Sequence, residues 1–199
     1  MNTGIKLHLG CGYVRKEGCI NVDMDSRCKP DVAVNLANQV WPWPDNSVTE
    51  VVAHHLFEHL GDPDFFKFLA ELYRVCADGA LVFVVVPHHN HDCFKNDPTH
   101  RRPITIEGMR LFSQAYNRHC IEVGDGASKL GFAYDVDFDI VDFKYVFDSM
   151  YEPHLASLQE EEDPRIKADK ERAIQTMIRE RNNVVLETWF TWQVVKGQP

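Results

Sequence analysis

The residues that could do chemistry in this 199-residue chain are first of all its histidines, ten in number. Seven fall in two groups: His54, His55 and His59, then His88, His89, His91 and His100. An imidazole titrates near neutrality, so such groups suit proton transfer or metal ligation. The first group contains His55-Leu56-Phe57-Glu58-His59, an H-x-x-E-H spacing. On a helix its two histidines would share a face at i and i+4, with Glu58 beside them as the general base of a hydrolytic zinc site. The context opposes that reading, because an apolar run through Val51-Val52-Ala53 feeds straight into His54 and Gly61-Asp62-Pro63 closes the segment after one turn. In the second group, His89 and His91 would lie on one side of an extended segment and His100 could return to complete a metal site. The alternative is a polar loop whose histidines bind substrate and water. We take the latter, assigning no metal and placing His88, His89, His91 and His100, then His55, as candidates for base or substrate contact.

A second chemical feature is the pair of glycines in Leu9-Gly10-Cys11-Gly12, with Asp23 ending the next apolar run. Glycines after a buried strand let backbone amides approach a ligand, and an acid at the end of a neighbouring strand suits a ribose. Alone, the pair equally describes a tight turn.

The elements that must position these residues read as an α/β chain. Lys6 to Gly10 and Cys19 to Asp23 are strands, with too few residues between them for a crossover helix. Asp31 to Leu36 is a third short strand and Thr49 to His54 a fourth. Asp64 to Cys76 is an amphipathic helix, capped by the Asp62-Pro63-Asp64 turn and stopped by Gly79. Ala80 to Val86, apolar throughout, reads as a central strand covered on both faces. Thr105 to Tyr116 is a helix with Thr105 as N-cap. Strands follow around Phe138 to Phe143 and from Asn183 to Val195. Between them, an insert at about 149–182 carries an acidic run and a helix from Pro164, whose stripe Ile166, Ala173, Ile174, Met177 and Ile178 serves the core or a partner surface. A single domain over 1–199 is expected.

Bulk properties narrow the partners. A net charge of −9 disfavours nucleic acid. The absence of a long apolar segment or a basic, apolar leader argues against a membrane and for a cytoplasmic chain. The six cysteines have no C-x-x-C spacing, so reduced thiols are expected rather than a zinc ribbon or disulfide scaffold.

In order, Leu9-Gly10-Cys11-Gly12, Asn21-Val22-Asp23, Pro44-Asp45-Asn46-Ser47, Glu58-His59-Leu60 and Asp97-Pro98-Thr99-His100 resemble the class I S-adenosylmethionine-dependent methyltransferases, small members with L-G-C-G, N-V-D and E-H-L motifs. The resemblance spans residues 6 to about 112. It implies a Rossmann-like, mostly parallel sheet with an antiparallel C-terminal strand, a reduced first crossover and a helical insert before the last strand. It also implies S-adenosylmethionine as cofactor. Leu9, Gly10, Cys11 and Gly12 would lie at its methionyl part, Asp23 on the ribose, Met24, Asn35 and Leu36 at the adenine, and His54 and His55 beside the methyl donor. The implied reaction is methyl transfer to an oxygen or nitrogen of a small or medium-sized acceptor, a metabolite, sugar or peptide. A metal-dependent hydrolase or lyase built on the histidine loop, and a non-catalytic binding module, are the rival readings. A homodimer through the late helix is left open.

Overall fold

The computed structural model describes residues 4–153, 156 and 163–197. Seven strands form one sheet in the order β3-β2-β1-β4-β5-β7-β6. They are β1 (Ile5–Leu9), β2 (Ile20–Asp23), β3 (Val32–Ala33), β4 (Val48–His54), β5 (Cys76–Pro87), β6 (Phe138–Phe147) and β7 (Val185–Val194). Strands β1 to β5 pair parallel, whereas β7 runs antiparallel between β5 and β6. The order reverses at β1, so the chain leaves β1 towards β2 on one side and reaches β4 on the other. Crevices at the carboxyl ends of such strands are where ligands of open α/β sheets bind.

One face of the sheet is packed. Helix α1 (Asp64–Val75) buries Phe65, Phe68, Leu69, Leu72 and Val75 on it, the i, i+3, i+4 stripe that its sequence shows. Helices α3 (Ile106–Arg110) and α4 (Gln114–Glu122) adjoin it, with Met109 and Phe112 in the same core. The opposite face has no α-helix over its first crossovers. Gly10 to Cys19 is loop, and between β2 and β3 there is only a 3-10 turn at Ser26–Cys28. Connections this short leave, among the described residues, no helix over β1 and β2 on that side. Phe83 and Trp189 there are 36% and 37% exposed. The expectation that the central strand is covered on both faces is thus corrected: β5 alternates in burial, with Val82, Val84 and Val86 inward and Phe83 outward.

Other boundaries shift for local reasons. The third strand shrinks to two residues because side chains take its backbone groups: Asn35 N–H donates to Gln39 Oε1 at 2.9 Å, and Asn35 Oδ1 accepts from Ala37 N at 3.0 Å. The expected Thr105 to Tyr116 helix breaks at Leu111–Ser113. There the carbonyls of Leu111 and Phe112 accept from Gly131 N and Phe138 N, and Ser113 caps a new helix through Tyr116 N. Thr105 is the N-cap of α3, its hydroxyl accepting from Gly108 N. Helix α1 has no side-chain cap; Phe65 N bonds the Gly61 carbonyl instead. It ends at Val75, before Gly79, because Cys76 already pairs with Val48 in the sheet.

Two short helices, α2 (Asp92–Lys95) and α5 (Leu130–Ala133), fill connections. Helix α6 (Pro164–Glu180) is capped by Asp163, whose Oδ1 accepts from Arg165 N at 2.8 Å; residues 160–162 of the acidic run lie outside the described residues. Of its predicted stripe, Ile174, Met177 and Ile178 pack with Val184 and Val185 in a second, small cluster, whereas Ile166 is exposed. All six cysteines are free thiols. Among the described residues no helix is long and apolar enough to cross a membrane.

Candidate functional site

The glycine turn after β1 is held by the acid at the end of β2. Gly10 and Gly12 have φ of +64° and +51°, a region in which a Cβ is strained, and a Cβ on Gly10 would also meet Leu56 at 3.0 Å. Gly12 N donates to Asp23 Oδ2 at 2.8 Å, and Asp25 N donates to Asp23 Oδ1 at 2.9 Å. Each carboxylate oxygen keeps a second lone pair for a ligand hydroxyl. Cys11 N donates to the Val22 carbonyl at 3.0 Å, tying the turn to β2. The Cys11 thiol is buried, and burial pushes its pKa up, so it stays protonated. Leu9 is wholly buried, leaving its backbone as the part nearest the turn.

These residues border a cavity of about 440 Å³ lined by Gly10, Asp23, Met24, Val34, Asn35, Leu36, Ala37, His55, Leu56, His59, Leu60 and Asp64. Six of the sequence-predicted residues therefore meet around one space: Gly10, Asp23, Met24, Asn35, Leu36 and His55. Met24 is 70% exposed, so its apolar side chain is free to cover a ligand rather than fill the core. His59 and Leu60 belong to the E-H-L motif, yet sequence reasoning assigned them no role.

His54 goes elsewhere. Side chains alternate along β4, and His54 points to the uncovered face, where it lines a cavity of about 530 Å³ with Phe83, Lys144 and Trp189 and another, of about 350 Å³, with Gly10 and Cys11. Its neighbour His55 turns off the strand with φ +51°, an uncommon backbone for a histidine. His55 Nδ1 lies 3.1 Å from Glu58 Oε1, and its Nε2 3.1 Å from Glu187 Oε1. The Glu58 hydrogen bond raises the His55 pKa, against the lowering effect of burial. Glu187, on β7, is 132 residues away in sequence, and no motif could have signalled it.

The histidine loop after β5 divides in position. His88 is 4% exposed, and burial holds it neutral, its pKa lowered to about 4. It packs against His89 and Tyr145, and its Nδ1 accepts from Asn90 N at 3.3 Å. His89 Nδ1 is buried without a partner, and burial lowers its pKa too. His91 caps α2, its Nδ1 accepting from Cys93 N at 3.0 Å, and its Nε2 stands 3.4 Å from Asp148 Oδ2. His100 leaves this group and packs edge to face on His59, ring centroids 4.7 Å apart. The predicted set is thus two sites: His55 and His100 near the Asp23 cavity, and His88, His89 and His91 by the start of β7.

Comparison with known proteins bears on this arrangement. Residues 17–84 match the family described as Methyltransferase domain. No curated protein sequence matches the chain. A S-adenosylmethionine-dependent methyltransferase from Archaeoglobus fulgidus is similar in structure, with TM-score 0.57 and 16% identity over 96% of this chain and 87% of that one. Phosphoethanolamine N-methyltransferase 2 of Haemonchus contortus, solved with S-adenosyl-L-methionine, gives 0.54 and 14% over 98% of this chain and 50% of its own. The [4+2]-cyclase SpnF gives 0.51 and 16% over 98% and 76%. The chain therefore has the Rossmann-like fold of the class I S-adenosylmethionine-dependent methyltransferases, with the methyltransferase-domain match running from before β2 into β5.

Proposed function

We propose that the chain is a methyltransferase that uses S-adenosylmethionine to methylate an oxygen or nitrogen of a small or medium-sized acceptor, its residues 1–199 acting as one domain. The observation that carries this is the convergence of the Gly10 turn, Asp23 and the Asn35-Leu36 segment on one cavity at the carboxyl ends of the parallel strands. The family match over residues 17–84 supports the same cofactor. The volume, about 440 Å³, is of the size that small-molecule sites have. The residues present fit: carboxylate oxygens with a spare lone pair for ribose hydroxyls, a side-chain amide at Asn35, apolar walls from Met24 and Leu36, and a glycine turn that no Cβ obstructs.

When bound, S-adenosylmethionine supplies a methyl group already activated on a sulfonium. What remains for the chain is to orient the acceptor, exclude water and take the acceptor's proton. Asp23 fixes the glycine turn through Gly12 N while presenting its outer lone pairs to the cavity. His55 lines that cavity with its two nitrogens donating to the carboxylates of Glu58 and Glu187, which leaves the ring no free lone pair; we assign it the orientation of the acceptor, and Glu187, at its far nitrogen, the acceptor's proton. Farther along the sheet edge, His88 and His91 are buried and hold the loop, while His89, less buried and with Nδ1 unpartnered, would contact the acceptor rather than the donor.

The fold is shared with a [4+2]-cyclase, so activity must be read directly. Incubation with S-adenosylmethionine and pooled alcohols, amines and carboxylates should release S-adenosylhomocysteine. Asp23→Ala should lower that release at least tenfold, and His55→Ala should lower kcat more than KM. Binding of the cofactor without release from any pool would favour a binding module.

A further inference from the structure

We propose that Glu58, His59 and His100 hold one divalent transition-metal ion at the wall of the Asp23 cavity. The sequence reading assigned no metal, because it weighed Glu58 and His59 with His55 and kept His100 with His89 and His91. Folding regroups them. Glu58 and His59 sit in the 3-10 turn Phe57–His59 after β4, His100 in the loop after β5, and one ligand atom from each lies within 4.8 Å of the others. The two segments are clamped by backbone: Arg101 N and Arg102 N both donate to the Glu58 carbonyl, at 2.7 and 3.1 Å.

Glu58 is the first sign of a missing cation. Its side chain is 0% exposed; Oε1 faces His55 Nδ1, but Oε2 is buried with no partner. Among the described residues no lysine or arginine pairs with it. A buried carboxylate oxygen without a donor is costly, and native structures rarely leave one so.

The imidazoles are arranged to complete the set. His100 Nδ1 lies 2.8 Å from the Phe94 carbonyl, which can only accept, so Nδ1 carries the hydrogen and Nε2 the lone pair. Asp97 Oδ2, at 3.8 Å from that Nε2, is too far to bond it. His59 Nδ1 lies 3.0 Å from Thr99 Oγ1, whose own hydrogen goes to Asp97 Oδ1 at 2.6 Å. Thr99 therefore accepts from His59, which again leaves Nε2 with a lone pair. Metal-binding histidines are oriented by just such bonds from their other nitrogen to carbonyls and polar side chains.

A neighbouring trio, His54, His55 and Glu187, also brings its ligand atoms close. It is the poorer site, since both His55 nitrogens are already engaged by carboxylates and His54 is exposed. Two imidazoles and a carboxylate, with no thiolate, suit zinc or ferrous iron and leave coordination positions open. His59 also lines the cavity, so the ion would border the space where acceptor and cofactor meet.

The test uses the full chain, stripped with a chelator and titrated with Zn²⁺ and Co²⁺. One equivalent should bind. Glu58→Gln and His100→Ala should each weaken binding at least 100-fold, whereas His54→Ala and Glu187→Gln should leave it within threefold. Independently of any variant's folding, X-ray absorption of the Zn²⁺-loaded wild type should show two imidazoles and no sulfur. Absence of stoichiometric binding, loss through Glu187→Gln instead, or a sulfur-containing shell would overturn the site. Metal binding is read without turnover, so its failure leaves the methyltransferase reading standing.

Discussion

Two tryptophans three residues apart on β7 show how differently the faces of this sheet are built. Trp192 is fully buried, stacked on Phe138 with centroids 4.7 Å apart and met edge-on by Phe190 and Phe112. Trp189, on the opposite face, is 37% exposed, with Lys144 Nζ 4.1 Å from its ring centroid and its indole N–H donated to Glu187. The covered face holds the molecule together. The open face results from crossovers too short to hold helices, and it carries a cavity larger than the Asp23 one, about 530 Å³ against 440 Å³. Size therefore does not mark the site here. The smaller cavity has the glycine turn, the Asp23 carboxylate and the strand ends, and it is the one we propose for the cofactor.

The contrast predicts a large difference in stability. Trp192→Ala should cost about 4 kcal/mol, read as a lower urea midpoint at unchanged slope, since it empties the aromatic core. A cost near 1 kcal/mol would mean that the covered face is not the main core.

The next effect is pH dependence. His88 is buried neutral with its pKa near 4, below the ordinary 6.5. Unfolding restores the ordinary value, so the unfolded chain binds the extra proton first. The stability that the neutral ring provides is full above pH 6.5 and is lost as pH falls from 6.5 towards 4, by about 3 kcal/mol at most. His88→Gln should flatten the unfolding free energy across that window; an unchanged slope would contradict this assignment. On the open face, Trp189→Ala should cost about 1 kcal/mol or less, because most of what it loses is a solvent-exposed stacking contact. A cost matching that of Trp192→Ala would erase the distinction between the faces.

Much of this arrangement was legible in the residues, for identifiable reasons. Strand β4 followed from the apolar run Val51-Val52-Ala53 and helix α1 from a 3.6-residue stripe, both set by local burial. The short first crossover was visible as mere chain length between Gly10 and Cys19. Its consequence, an open face, was not, because Val52, Phe83 and Val85 are as apolar as any covered strand. The break between α3 and α4 was hidden for a different reason: the groups that take the Leu111 and Phe112 carbonyls come from Gly131 and Phe138. The Asp23 cavity was legible where residues share a strand end. Adjacent strand positions face opposite ways, so His54 stays on the open face beside Gly10 and Cys11, whereas His55, with its left-handed turn, comes round to the Asp23 cavity. Glu187 and the meeting of His59 with His100 depend on contacts far apart in sequence.

The account's central claim is that the cofactor occupies the Asp23 cavity rather than the larger space across the sheet. Calorimetric titration with S-adenosylhomocysteine, run in parallel on the wild type, Asp23→Ala and Trp189→Ala, tests it most directly. One site per chain is expected, weakened 10- to 100-fold by Asp23→Ala through the loss of about 1–3 kcal/mol of hydrogen bonding to a charged group, and unchanged by Trp189→Ala. No heat with the wild type, or weakening by Trp189→Ala with Asp23→Ala unaffected, would contradict it.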